Sequence, residues 1–207
     1  LRDSETGRHL ERVRLFCRAI AISLAESDNN QGRVNKRFID SLFNASPLHD
    51  IGKVGISDRV LQKPNRLTPE EFDHMKRHTI IGARTLQLVK RRFPTNEFLS
   101  MGVEIARSHH ERWDGTGYPD GLQGNEIPLS ARIMSIADVY DALRSARRYK
   151  KAISHSETCD IIIDSCDTHF DPLVVKEFKK VHSRFNEITQ ELMDSGSYDP
   201  GELDPTV

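Results

Sequence analysis

Leu10, Val13, Cys17, Ile20 and Leu24 recur at steps of three and four, and the chain shows no convincing run of alternating apolar and polar residues. That spacing lines one face of an α-helix and leaves little from which to build a sheet. An amphipathic helix is therefore expected over roughly the first 27 residues, after the Ser4-Glu5-Thr6-Gly7 start, with Asp28-Asn29-Asn30-Gln31-Gly32 ending it. A second helix, from about Asn35 to Ala45, should deliver Leu48-His49-Asp50 to a helix-to-loop junction, because Pro47 and Gly52 mark departure from regular structure.

Thr68-Pro69-Glu70-Glu71 reads as a helix start: Thr68 can cap, Pro69 suits the first turn and Glu71 completes a capping box. The helix that follows presents His78, and further helices are predicted over about 79–92, 96–108, 129–145, 155–167 and 173–193. A long irregular stretch, 109–128, lies between two of them. The fold class is all-α, with roughly seven or eight helices. On the 129–145 helix, Ile133, Ala137, Tyr140 and Arg144 share one face, while Met134, Asp138 and Asp141 form an adjacent stripe. A carboxylate beside apolar neighbours there needs a partner.

With 207 residues the chain has enough length to bury a real core, and one domain is expected over 1–193, followed by a disordered, breaker-rich tail over 194–207. The start at Leu1, with motif-like residues by Glu5, suggests a domain cut from a longer protein with an upstream regulatory domain. Acidic residues (31) and basic residues (30) nearly cancel, so no overall field draws the chain onto DNA, RNA or an anionic membrane. The absence of an apolar run of transmembrane length and of a signal-like start predicts a soluble, cytoplasmic domain. Cys17, Cys159 and Cys166 are few, odd in number and without a CxxC pair. They read as buried thiols on helices, which argues against a disulfide framework and against a thiolate zinc site.

The residues fit for chemistry are imidazoles and carboxylates: Glu5 with His9, His49 with Asp50, then His74 and His78, the adjacent His109 and His110, and Asp138. Glu5 and His9 stand four apart on one helix face, as do His74 and His78, and spacing alone does not choose between the last two. A mixed His/carboxylate set suits Fe, Mn or Zn better than Mg or Ca, which favour oxygen, and Asp50 could bridge two ions. The run from His109 to Pro119 sets two imidazoles before a Gly- and Pro-punctuated loop that ends in an aromatic, which is poor core material and good site material.

Five stretches together resemble the HD-GYP family, a branch of the HD-domain metal-dependent phosphohydrolases. They are Arg2 through His9, Leu48-His49-Asp50-Ile51-Gly52-Lys53, Met75-Lys76-Arg77-His78-Thr79, His109 through Pro119, and Ala137-Asp138-Val139-Tyr140-Asp141-Ala142-Leu143, covering roughly residues 2–175 in family order. The resemblance implies an HD-type helical bundle in which His49, Asp50, His78, His109, His110 and Asp138 ligate metal, with His78 rather than His74 as the ligand. Glu5 and His9 extend the set toward a third ion. Two or three divalent ions are implied, iron or manganese first, with Zn, Ni, Co or Mg as alternatives.

The same resemblance implies hydrolysis of cyclic di-GMP to the linear dinucleotide pGpG and on to GMP, by attack of a metal-bridging hydroxide between ions ~3.5–4 Å apart. Asp50 and Lys53 would serve catalysis, Lys53 by stabilising charge on the phosphate. Tyr118 would contact the nucleotide, and Arg147 and Lys150 would clamp phosphate oxygens. Glu111, Trp113, Asp114, Gly115 and Gly117 would shape the loop. Arg148 stands where the family commonly has Pro, and Ile56-Ser57-Asp58 replaces a common Ile-Pro-Asp. Two other functions fit the same residues: a sensor or interaction module that engages a GGDEF-domain partner without turnover, or a hydrolase for another cyclic dinucleotide. A second copy of the chain is a further candidate partner.

Overall fold

The computed structural model describes residues 4–27, 32–145 and 152–194, and within them eight α-helices carry the fold. They are α1 (Ser4–Glu26), α2 (Lys36–Ala45), α3 (Asp58–Leu61), α4 (Pro69–Lys90), α5 (Glu97–Ser108), α6 (Leu129–Arg144), α7 (His155–Asp164) and α8 (Pro172–Asp194). The all-α expectation holds. The described residues form no named strand, and their one bridge is an isolated pairing of Cys166 with Phe170.

The helix signals in the sequence work through hydrogen bonds. Asn35 caps α2 by accepting from the Phe38 N–H, and Asn96 caps α5 by accepting from Leu99. Thr68 and Glu71 form the expected capping box, with the Thr68 N–H donating to Glu71 Oε2 at 2.8 Å. Ser154 and Glu157 form a second box at the start of α7. The helices expected separately before and after residue 79 are one helix, α4, because no residue between Met75 and Ile81 breaks the turn. The four-residue α3 is too short to show a period, and the sequence did not announce it.

α1 is the central post. Val13, Phe16, Cys17, Ile20, Ala21 and Leu24 are buried along it, where it packs against α2, α6 and α8. Phe16 stacks on Phe185 of α8 at 4.3 Å and meets Tyr140 of α6 edge-on at 5.2 Å. At ~1.5–3 kcal/mol per fully buried apolar side chain, this face anchors the first helix, and with it His9, against the core. The cysteine expectation needs one correction: Cys17 and Cys159 are buried on helices, but Cys166 is half-buried and lies beyond the end of α7. No helix among the described residues is long and apolar enough to cross a membrane. The 194–207 tail, apart from Asp194 at the end of α8, lies outside the described residues.

Candidate metal centre

Five segments bring the candidate ligands together. His9 comes from the first turns of α1, His49 and Asp50 from the junction of two 3-10 turns after α2, and His78 from the middle of α4. His109 caps α5, His110 follows it, and Asp138 projects from α6. The junction seats against α4 because residue 52 has no side chain. A Cβ at Gly52 would lie 1.9 Å from the His78 carbonyl oxygen and 2.4 Å from the Gly82 nitrogen. Gly52→Ala should therefore lift the Ile51–Gly55 turn off α4 and part Asp50 from His78. Its expected cost exceeds the ~1–3 kcal/mol of ordinary overpacking, read by urea denaturation with metal content measured in parallel. Wild-type values for both would refute this account of the glycine.

The side chains form two triads. His9, His49 and Asp138 offer ligand atoms within 4.8 Å of one another, and so do His78, His109 and His110. Asp50 lies between them: its Oδ2 is 3.3 Å from His49 Nε2, and its Oδ1 is 3.3 Å from His78 Nε2 and 4.0 Å from His109 Nε2. One carboxylate thus turns an oxygen to each triad. Asp50 Oδ1, His78 Nε2 and His109 Nε2 are buried with no hydrogen-bond partner. Buried polar atoms without partners cost free energy, and a cation between them is the partner this chemistry calls for.

The opposite edges of the rings are tied down. His49 Nδ1 donates to the Ser46 carbonyl at 3.0 Å, His78 Nδ1 to Met75 at 2.7 Å and His109 Nδ1 to Ile105 at 2.9 Å. Each bond sets the proton on Nδ1 and turns the Nε2 lone pair inward, as metal-ligating histidines require. His9 Nδ1 instead meets Asp141 Oδ2 at 2.8 Å, and Arg12 holds Asp141 through Nε at 2.5 Å and Nη2 at 3.0 Å. Arg12 and Asp141 are the supporting residues whose role the sequence reading missed. Their signal was present as same-face spacing, since Arg12 follows His9, and Asp141 follows Asp138, by three residues on their helices.

Charge is arranged to suit cations. Burial pushes the Asp50 carboxyl upward, but His49, Lys53 and His109 outweigh it and hold the group well below its usual range. Burial lowers His78, brings His109 down to about 4, and, with the neighbouring His109 and His78, drives His110 far below its ordinary value. These three imidazoles are neutral at neutral pH and keep their lone pairs. For His49, burial works downward and Asp50 and Asp138 reverse it, leaving the pKa raised.

Lys53 reaches back to pair with Asp50 Oδ2, and its side chain is 42% exposed. Tyr118 lays its ring beside His110, with centroids 4.8 Å apart and planes inclined by 30°. Phe72 and the Lys76 ammonium flank the same tyrosine ring. Glu111 is buried and accepts from the Asp120 and Leu122 N–H groups, pinning the loop that carries Tyr118. Gly117 allows that loop to close, since a Cβ there would stand 2.3 Å from the Arg112 nitrogen.

His74 is not brought to the centre; it lines a surface hollow with Ser57, Arg59, Val60, Glu70 and Glu71. Glu5 lies within α1, but its side chain is outside the described residues, as are Arg147 and Lys150. His9, His49, Asp50, His78, His109, His110 and Asp138 converge.

A family model described as "HD domain" matches residues 4–174. This chain belongs to the HD domain family. Its His-Asp pair and its Gly-Tyr-Pro loop put it in the HD-GYP branch. A Vibrio cholerae protein named "Cyclic di-GMP phosphodiesterase" is 48% identical to this HD-GYP domain over 194 residues, covering 94% of the domain and 39% of the relative. A second V. cholerae relative, "3'3'-cGAMP-specific phosphodiesterase 2", is 40% identical over 93% of the domain and 34% of its own length. The domain thus spans less than half of each of these relatives. Among solved structures, an HD-GYP-type protein of Bdellovibrio bacteriovorus superposes with a TM-score of 0.58 at 20% identity, covering 84% of this domain and 52% of that chain. That likeness extends to the fold.

Proposed function

We propose that this HD-GYP domain is a metal-dependent phosphodiesterase that opens cyclic di-GMP to pGpG and carries it on to GMP. The observation that supports this most is the single Asp50 carboxylate shared by two histidine-rich triads. The triads fit divalent ions with a preference for nitrogen alongside oxygen, so iron or manganese is the expected occupant. Glu5, one helical turn before His9, would serve a third ion. Ions held there lower the pKa of water and polarise a phosphodiester.

The protein's own groups do the rest. The Nδ1 anchors keep the imidazoles in place, so the ligand shell needs no rearrangement when substrate arrives. Lys53, partly exposed beside Asp50, would stabilise charge on the phosphate. Tyr118, beside His110, offers a ring to the guanine base and a hydroxyl to the backbone. Arg147 and Lys150 supply further positive charge for the second phosphate. The domain would do this work in the cytoplasm.

A second reading has one observation behind it: a relative at 40% identity carries the name of a 3'3'-cGAMP-specific enzyme. Both readings are tested by incubating anaerobically purified, Mn- or Fe(II)-loaded protein with cyclic di-GMP and with 3'3'-cGAMP and separating the products by chromatography. Linear pGpG and GMP from cyclic di-GMP are expected. Turnover of cGAMP alone would favour the second reading, and metal-replete protein that leaves both substrates intact would sink the two together.

A further inference from the structure

His155 and Cys159, one turn apart on α7, meet His182 of α8 in a cluster that shares no residue with the candidate metal centre. His155 Nε2 lies 3.1 Å from His182 Nδ1, and Cys159 Sγ lies 3.7 Å from each ring nitrogen of His155. In a tetrahedral zinc site with bonds of ~2.0–2.1 Å to nitrogen and ~2.3 Å to sulfur, ligand separations come to about 3.3 Å for N–N and about 3.6 Å for N–S. The two histidine nitrogens therefore stand near ligand spacing, while Cys159 Sγ, equidistant from both nitrogens of His155, lies beside that ring and reaches an ion at Nε2 by turning about its Cα–Cβ bond.

A supporting contact is also in place. The Tyr140 hydroxyl lies 2.8 Å from His155 Nδ1, so an Nδ1–H donating to it leaves the Nε2 lone pair facing His182. Cys159 is 6% exposed, whereas both histidines are half-buried, which gives an ion a way in. The neighbouring Arg144 guanidinium is occupied, donating to the Ile153 carbonyl and to Asn186 Oδ1.

We propose that His155, Cys159 and His182 form a second metal site that binds a zinc-type divalent ion and ties α7 to α8. On binding, the Cys159 S–H bond breaks, a metal–sulfur bond forms and the proton leaves to solvent. Both imidazoles bind as neutral lone-pair donors. His182 exchanges its Nδ1 proton with solvent and takes up the Nε2–H tautomer. Burial and the charges of His182 and Arg144 lower the His155 pKa, so that ring needs no deprotonation at neutral pH. The cysteines lack the CxxC spacing of common zinc sites, which is why their sequence pointed away from one. Here the partners of the single thiolate are a histidine four residues earlier and another on the next helix.

Cobalt(II) substitution separates this site from the first, because the candidate ligands of the other centre are all imidazoles and carboxylates and give no sulfur charge transfer. Wild-type protein loaded with excess Co(II) should show a near-ultraviolet thiolate-to-cobalt band. The band should vanish in Cys159→Ser and in His182→Gln and persist in Cys166→Ser. Its absence from the wild type, or its persistence in Cys159→Ser, would overturn the proposal. X-ray absorption of the zinc-loaded wild type gives an answer that needs no variant: a sulfur scatterer beside nitrogen and oxygen supports the site, and a shell of nitrogen and oxygen alone refutes it.

Discussion

Asp50→Asn should strip metal from the protein and lower cyclic dinucleotide hydrolysis by at least ~10³-fold, the loss expected when several kcal/mol of metal-derived stabilisation disappear. The substitution keeps the shape of the side chain and removes its charge. The amide retains one oxygen acceptor, so at most one triad keeps a carbonyl ligand from residue 50, and the NH₂ group presents hydrogens to the other. Elemental analysis and a turnover assay read the two effects together. Asn at this position with full metal content and wild-type turnover would remove Asp50 from the bridging role. Metal addition should also raise the melting temperature of wild-type protein more than that of the variant, since an ion that binds the folded state alone stabilises it.

Arg12→Ala carries the largest expected cost to folding outside the ligands. Arg12 and Asp141 are 7% and 3% exposed as side chains and joined by two hydrogen bonds, so removing the guanidinium leaves a buried carboxylate without its cation, with His9 and Ser145 still beside it. Breaking such a pair from one side costs about 3–5 kcal/mol. Because Asp141 orients His9 through Nδ1, metal affinity should also fall, by the ~10–100-fold typical of lost supporting contacts. Urea denaturation of metal-free protein isolates the first effect and metal titration the second. Arg12→Lys should recover part of the stability but not the two-point grip, because an ammonium cannot reproduce the fork of a guanidinium. If Arg12→Ala leaves both measurements unchanged, Asp141 is held by His9 and Ser145 alone.

How much of the domain is legible in its sequence varies with the distance between the residues involved. The helix starts at Asn35 and Thr68 were readable because a cap and its helix lie within four residues of each other. The continuity of α4 was not read: the helices expected from the sequence part at residue 79, although α4 runs unbroken through that point and on through Gly82. In the fold, its missing side chain is what lets Gly52 come close. His49, Asp50, His78, His109, His110 and Asp138 were singled out as candidate ligands only through the family pattern, because no local rule distinguishes His78 from His74.

By itself, the sequence determined an all-helical chain, the segments that carry imidazoles and carboxylates, and the kind of ion such a donor set prefers, because periodicity, capping and donor type are local properties. Only the tertiary structure decided that Asp50 divides its two oxygens between triads and that Arg12 steadies His9 through Asp141. It alone also brought Cys159 and His155 to His182. The first two relations join segments far apart in the chain, held at their distances by the burial of α1 against α2, α6 and α8, and the third joins consecutive helices that pack on each other.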